Sequence, residues 1–237
     1  MSVTAIIPLK DHSERLPGKN LGLFCGKPLF YWVISELMKV PEITSIVVNT
    51  NDDESAEAVY IEFGYEVRIL MRPEFLRGGD ITANYLIDWT LREVGEDHFL
   101  YTHATNPLVS SHTFRRAIKE YMMAKWGRSL IGVTEHQVRL YDSKFRPINH
   151  NPHRICKSQD LEPVYVDNSC IYLFSRQIFK RHGRVSNNPV MFPMSRVESI
   201  DIDTYDDWEL AESVMMRKIA TNGWHTTVRG ELRGEDK

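Results

Sequence analysis

Apolar and polar positions alternate in blocks along the first half of the chain. Val3 to Pro8 is a short β-branched run, the pattern of a buried strand. The polar stretch Leu9 to Asn20, with Pro17 and Gly18, follows as a loop. Pro28 to Lys39 places Leu29, Trp32, Val33 and Leu37 on one helical face behind a first-turn proline. Thr44 to Thr50 reads as the next strand. Asp52, Asp53 and Glu54 suit the positive end of a helix that closes near Gly64. Strands are expected over Glu66–Leu70, His98–Thr102 and Ser129–Val133, and helices over Thr82–Val94 and Ser111–Trp126.

This order predicts an α/β fold with a Rossmann-like, mostly parallel sheet and helices on both faces, all within one domain over 1–237. The alternation breaks between Glu135 and Asn168, where His, Asn and Pro are frequent and no amphipathic period persists. That segment reads as an inserted, β-rich arm. Cys170–Phe174 returns to strand, Ile200–Ile202 reads as a short last strand, and Asp206–Ala220 as a closing helix with a frayed tail from Thr221.

Composition narrows the function. Lys plus Arg total 29 against 32 Asp plus Glu, a net charge of -3, so the basic excess typical of phosphate-driven nucleic-acid binding is absent. Any anion site must be a local cluster. No apolar run approaches a membrane span. The N-terminus shows no basic leader or cleavage-like end. Three scattered cysteines make neither a disulfide framework nor a Cys-x-x-Cys zinc pair, which fits a reducing cytoplasm.

Two segments can carry chemistry. The loop after the first strand holds Lys10, Arg15 and Lys19 with Gly18, at the strand end where open α/β sheets place their ligands. Several cations and a close-approach glycine suit a triphosphate. The loop has neither Walker A nor dinucleotide glycine spacing. The second segment, Ser199 to Thr204, contains Asp201 and Asp203. At i and i+2 on a strand they share a face and could hold one Mg²⁺, which binds one or two carboxylates plus substrate phosphates. Taken singly, each also fits a solvated loop. Brought together, they form the minimum kit for attack on a nucleotide α-phosphate.

The loop resembles the signature of the acylneuraminate cytidylyltransferase family, related to 3-deoxy-manno-octulosonate cytidylyltransferase, in Ser13-x-Arg15-Leu16-Pro17-Gly18-Lys19-Asn20-Leu21. The resemblance recurs in order along the chain, at Asn49–Asp52, at Arg72-Pro73-Glu74-x-Leu76 followed by Asp80, and at Thr105–Leu108. It continues at Ser158–Leu161, at Asn168-x-x-Ile171-Tyr172 and at Asp201–Thr204. It implies transfer of a cytidylyl group from CTP to a 2-keto-3-deoxy sugar acid, with release of pyrophosphate. Lys19, Arg15 and Lys10 would act on the phosphates. Leu9, Asn20, Arg72, Asp80 and Asn84 would line the nucleotide side. His103, Gln159, Asn168 and Tyr172 would meet the sugar, and Asp201 and Asp203 would hold Mg²⁺. The family also implies a homodimer joined through the arm.

Two positions depart from the pattern. Lys10 stands where the family carries Arg, which keeps the charge but loses the bidentate fork. His103 stands where the sialic acid branch has Gln, so the sugar side differs. Two other readings stay open on the sequence: a nucleotidyltransferase for another sugar or base, and a non-catalytic nucleotide-binding relative.

Overall fold

The N-terminal β-branched run forms the central strand of the molecule. In a computed structural model that describes residues 2–10, 15–77, 81–124 and 127–231 (backbone alone over 222–231), β1 (Val3–Pro8) pairs in parallel on both sides. One neighbour is β4 (Ile43–Thr50), the other β6 (His98–Tyr101). Between β1 and β4 lie a two-residue hairpin, β2 (Leu23–Phe24) with β3 (Lys27–Pro28), and helix α1 (Leu29–Met38). Helix α2 (Asp53–Phe63) leads to edge strand β5 (Arg68–Met71), and α3 (Ala83–Glu93) leads to β6.

After α4 (Ser111–Met123) come β7 (Leu130–His136), β8 (Val164–Ser175), α5 (Arg176–His182), β9 (Val190–Met194) and α6 (Tyr205–Glu231). The seven-stranded sheet runs β5-β4-β1-β6-β8-β7-β9. Every neighbouring pair is parallel except those made by β8, which is antiparallel to both β6 and β7.

Strand alternation divides the core. Ala5 and Ile7 face a cluster built with Phe30, Val33, Ile34 and Leu37 of α1 and Phe114, Ile118 and Tyr121 of α4. Ile6 points the other way, towards Ile87 and Leu91 of α3 and Ile178 and Phe179 of α5. The sheet is therefore covered on both faces, as the block pattern predicts. A third cluster joins Phe24, Leu29, Leu108, Ile202, Ala211 and Met215, and seats α6 against the hairpin end of the first loop.

Local signals hold where a side chain meets the backbone. Asp52 Oδ1 accepts from the amide of Ser55, 2.6 Å away, and caps α2. Gly64 closes that helix at φ +58°, a conformation that costs a glycine nothing.

Three expectations change. Ile200–Ile202 joins no strand: Ile202 N donates to Thr105 O at 2.9 Å, a tether in place of a ladder. The arm is shorter than 135–168, because Glu135 and His136 belong to β7 and pair with Tyr165 and Val164 of β8. Tyr165, Val166 and Asp167 at this end of β8 are exposed, unlike the buried stretch from Cys170. Helix α6 continues to Glu231, past the frayed tail expected from Thr221. The hairpin, α5 and β9 are too short to carry a sequence period.

Candidate active site

The loop after β1 is closed on itself. Leu9 is fully buried, and its amide donates to Asn49 O at 2.9 Å. Asn20 Nδ2 donates to Lys10 O at 2.9 Å, tying the two ends of the loop together. Gly18, at φ +67°, accepts from the amides of Leu21 and Gly22. Gly22 has no room for a Cβ, which would lie 2.9 Å from the Trp208 ring. Trp208 also meets Phe24 edge-on at 5.4 Å. These contacts seat the start of α6, and the aspartates just before it, beside the loop. Thr204 and Asp207 fix that helix start: Asp207 Oδ2 accepts from Thr204 N at 2.8 Å and from Asp203 N at 3.1 Å.

The two segments singled out in the sequence converge here. Lys19 Nζ donates to Asp203 Oδ1 at 3.0 Å and to Ile202 O at 2.7 Å. Arg15 Nη2 lies 2.9 Å from Asp203 Oδ2. Lys19 is mostly buried, whereas Arg15 is largely exposed. Alternation places Ile202 in the core and leaves Asp201 and Asp203 to face the loop side, although no strand is formed.

Asp201 is the strained member of this group. Burial pushes its carboxyl above the usual range and the Asp203 charge adds to that, while the facing Thr105 hydroxyl, His103 and Lys19 pull the other way. Its Oδ1 is buried without a hydrogen-bond partner among the described residues. A buried carboxylate oxygen with no donor, next to a second carboxylate, fits a hard cation such as Mg²⁺. Among the described residues no group of three His, Cys, Asp or Glu side chains converges, so such an ion would need water or phosphate oxygens to complete its shell.

The expected nucleotide-side residues take different places. Lys10 is exposed at the loop entrance. Arg72 is buried behind the loop, where its guanidinium donates to Leu9 O at 2.9 Å, to Asn49 O at 2.8 Å and to Asn49 Oδ1. It therefore clamps the C-terminal ends of β1 and β4. Asn49 Nδ2 in turn donates to Thr90 Oγ1 of α3 at 2.7 Å. Asn84 is exposed in the first turn of α3. Asp80 lies outside the described residues, as do Asp11 to Glu14 of the loop.

Of the residues expected on the sugar side, His103 donates through Nδ1 to Ser169 O at 2.9 Å, since a carbonyl can only accept. Burial lowers its proton affinity, against the opposing pull of the Ser169 carbonyl and the Asp201 carboxylate. Asn168 Nδ2 donates to Ser199 Oγ at 3.0 Å and Thr134 Oγ1 at 3.3 Å, and its Oδ1 sits 2.9 Å from where a Cβ on Gly132 would be. Tyr172 donates to Asp167. Gln159 stands apart on the arm, where its carbonyl accepts from Gln137 Nε2 at 3.3 Å.

Sequence reasoning missed three contributors. Thr105 tethers Ile202 and faces Asp201. Asp207 makes a capping box with Thr204, legible as Thr-x-x-Asp ahead of the helix. Asp167 holds the Tyr172 hydroxyl across β8, a pairing with no sequence signature.

The chain is similar to several known proteins. The chain is 29% identical over 229 residues to the CMP-N,N'-diacetyllegionaminic acid synthase of Legionella pneumophila, covering 91% of this chain and 97% of that one. It is 24% identical over 237 residues to a pseudaminic acid cytidylyltransferase of Campylobacter jejuni, covering 90% and 95%. It is 24% identical over 219 residues to an N-acylneuraminate cytidylyltransferase of Streptococcus agalactiae, and there it spans only 52% of the relative's length. Among solved structures, a CMP:2-keto-3-deoxy-manno-octonic acid synthetase complexed with CTP superposes with a TM-score of 0.71 at 14% identity. That match covers 92% of this chain and 100% of the other, and it speaks to the fold. A 4-diphosphocytidyl-2C-methyl-D-erythritol synthase from Anaerococcus prevotii gives a TM-score of 0.65, also at 14% identity, covering 90% and 96%. Residues 4–214 match the family described as cytidylyltransferase, and the chain belongs to that family.

Proposed function

We propose that this enzyme joins CTP to a 2-keto-3-deoxy sugar acid of the sialic acid kind, giving a CMP-sugar and pyrophosphate. The observation that carries the reading is the meeting of Lys19 and Arg15 with Asp203, beside the orphaned Asp201 oxygen. Within a cytidylyltransferase, this is a place where a triphosphate finds cations on one side and a carboxylate pair on the other.

The anomeric hydroxyl attacks the α-phosphorus, the bond to the pyrophosphate oxygen breaks, and the hydroxyl proton leaves. Lys19 and Arg15 neutralise the charge that grows on the leaving pyrophosphate, with Lys10 a third cation at the loop entrance. Leu9, Asn20, Arg72 and Asn84 shape the nucleotide side, Arg72 by holding the two strand ends in place. His103, Asn168 and Tyr172 shape the sugar side, joined by Gln159 of the arm. Asp201 and Asp203 would hold Mg²⁺, which supplies further charge neutralisation when bound.

The test is pyrophosphate release from CTP, UTP, ATP and GTP with Mg²⁺ and each of N-acetylneuraminate, legionaminate, pseudaminate and octulosonate. Turnover is expected with CTP and one or more of these acids. Turnover with a hexose 1-phosphate, or with UTP in preference to CTP, overturns the reading.

We further propose a homodimer formed through the arm. Phe145, Ile148 and Ile155 are 87%, 61% and 70% exposed, an apolar surface that a second copy would cover. Among the described residues no helix is long and apolar enough to cross a membrane. The free thiols of Cys25, Cys156 and Cys170 suit the cytoplasmic setting we propose.

A further inference from the structure

Arg184 follows α5 and reaches back over the sheet. Its guanidinium carbon lies 4.7 Å from the centre of the Tyr172 ring and 5.9 Å from that of Tyr101. It has no ion-pair partner among the described residues, and its Nε is buried without a hydrogen bond. Asp167 is engaged by the Tyr172 hydroxyl. Aromatic faces offset part of the cost of burying a guanidinium, but they accept no hydrogen bond from the N–H donors in its plane.

The surroundings form a built pocket. A cavity of about 380 Å³ is lined by Thr82, Ala83, Asn84, His182, Arg184 and Val185. The positive end of α3 makes one wall. The loop carrying Arg184 docks against that wall closely enough that a Cβ on Gly183, at φ +75°, would sit 2.6 Å from Asn84 Nδ2. His103 lies within electrostatic reach of both Arg184 and Lys19. Arg184 therefore adds a positive charge near His103 besides that of Lys19.

We infer that Arg184 binds the carboxylate of the acceptor sugar acid and so selects acids as acceptors. A planar guanidinium with free donors matches a carboxylate bidentately, and aromatic stacking below it fixes the plane. This inference rests on the proposed reaction and adds the residue that reads the acid group.

The experiment compares wild type with Arg184→Gln and Arg184→Lys, using CTP and the best of the four sugar acids, with the carboxamide of that acid as a second acceptor. For Arg184→Gln, kcat/KM for the acid should fall about tenfold to a hundredfold while the KM for CTP stays within about twofold. Arg184→Lys should recover part of the loss. Wild type should lose a similar factor on the carboxamide, and Arg184→Gln should lose little more on it. An unchanged kcat/KM for the acid, or a loss confined to CTP, overturns the assignment. If Arg184→Gln does not fold, the wild-type comparison decides: equal use of acid and carboxamide overturns it. A wild type inactive with every sugar acid overturns the proposed reaction and this assignment together. An active wild type indifferent to Arg184 overturns the assignment alone.

Discussion

Lys19 is the residue on which the loop after β1 turns, because it is mostly buried and its ammonium meets both a carboxylate and a carbonyl. Lys19→Ala should lower kcat/KM for CTP about tenfold to a hundredfold, the effect of roughly 1.5–3 kcal/mol for a charge-assisted contact. Its circular dichroism should match wild type, and normal kinetics would remove this loop from the phosphate site. Asp203→Asn should cut kcat and raise the Mg²⁺ concentration needed for half-maximal rate. A Mg²⁺ titration that superposes on wild type would move the metal elsewhere. Asp201 gives a test without turnover. Its buried carboxylate is held above its ordinary proton affinity, so Asp201→Asn should leave the melting temperature of the metal-free protein unchanged or higher. The same variant should lose any stabilisation that Mg²⁺ gives wild type, which scanning fluorimetry reads directly.

At the scale of elements, two contacts between neighbours set the site. Gly22 lets Trp208 lie against the loop, so Gly22→Ala must push the start of α6 outward. The expected result is a loss of about 1–3 kcal/mol in denaturant unfolding, with a weakened CTP KM. Wild-type values for both would mean that α6 is not seated through this contact. Glu36 of α1 accepts from the amide of Ser111 at 2.7 Å and from Lys39, and so holds the start of α4. Burial pushes its carboxyl up, but these hydrogen bonds outweigh that and lower it below its ordinary value of 4.5. A carboxyl with a lowered folded-state pKa stabilises above its unfolded value, and the gain is lost as pH falls through the folded one. Glu36→Gln should therefore cost about 1 kcal/mol at pH 7, and the gap to wild type should close in acid. A pH-independent gap would point to packing instead.

For the whole molecule, the exposed apolar residues of the arm predict self-association. Light scattering should report twice the 27.6 kDa chain mass at micromolar concentration. Replacing Phe145 and Ile155 with Ser should return the monomer mass without altering the far-ultraviolet spectrum. A monomer in the unaltered protein would end the proposal. The sheet itself should survive that change, because the arm leaves it only after His136 and rejoins it at Val164.

The order of the first strands and helices was written in the chain. Val3–Pro8 and the second half of Ile43–Thr50, from Ile46, bury both faces, and Asp52 and Gly64 mark their helix by local chemistry that needs no partner. Lys19, Arg15 and Asp203 were recognisable too, because cations and carboxylates announce their chemistry by residue type. Their meeting was not, since a contact across 184 positions depends on the Gly22–Trp208 packing that docks α6. Tertiary structure likewise turned Arg72 into a clamp on two strand ends and made a tether of Ile200–Ile202. It also left Arg184 stacked between α3 and β8 with its Nε unpartnered among the described residues. A hydrophobic period reports which side of an element is buried. Which buried polar group finds a partner depends on residues far away in the chain, and only the packed molecule brings them within bonding distance.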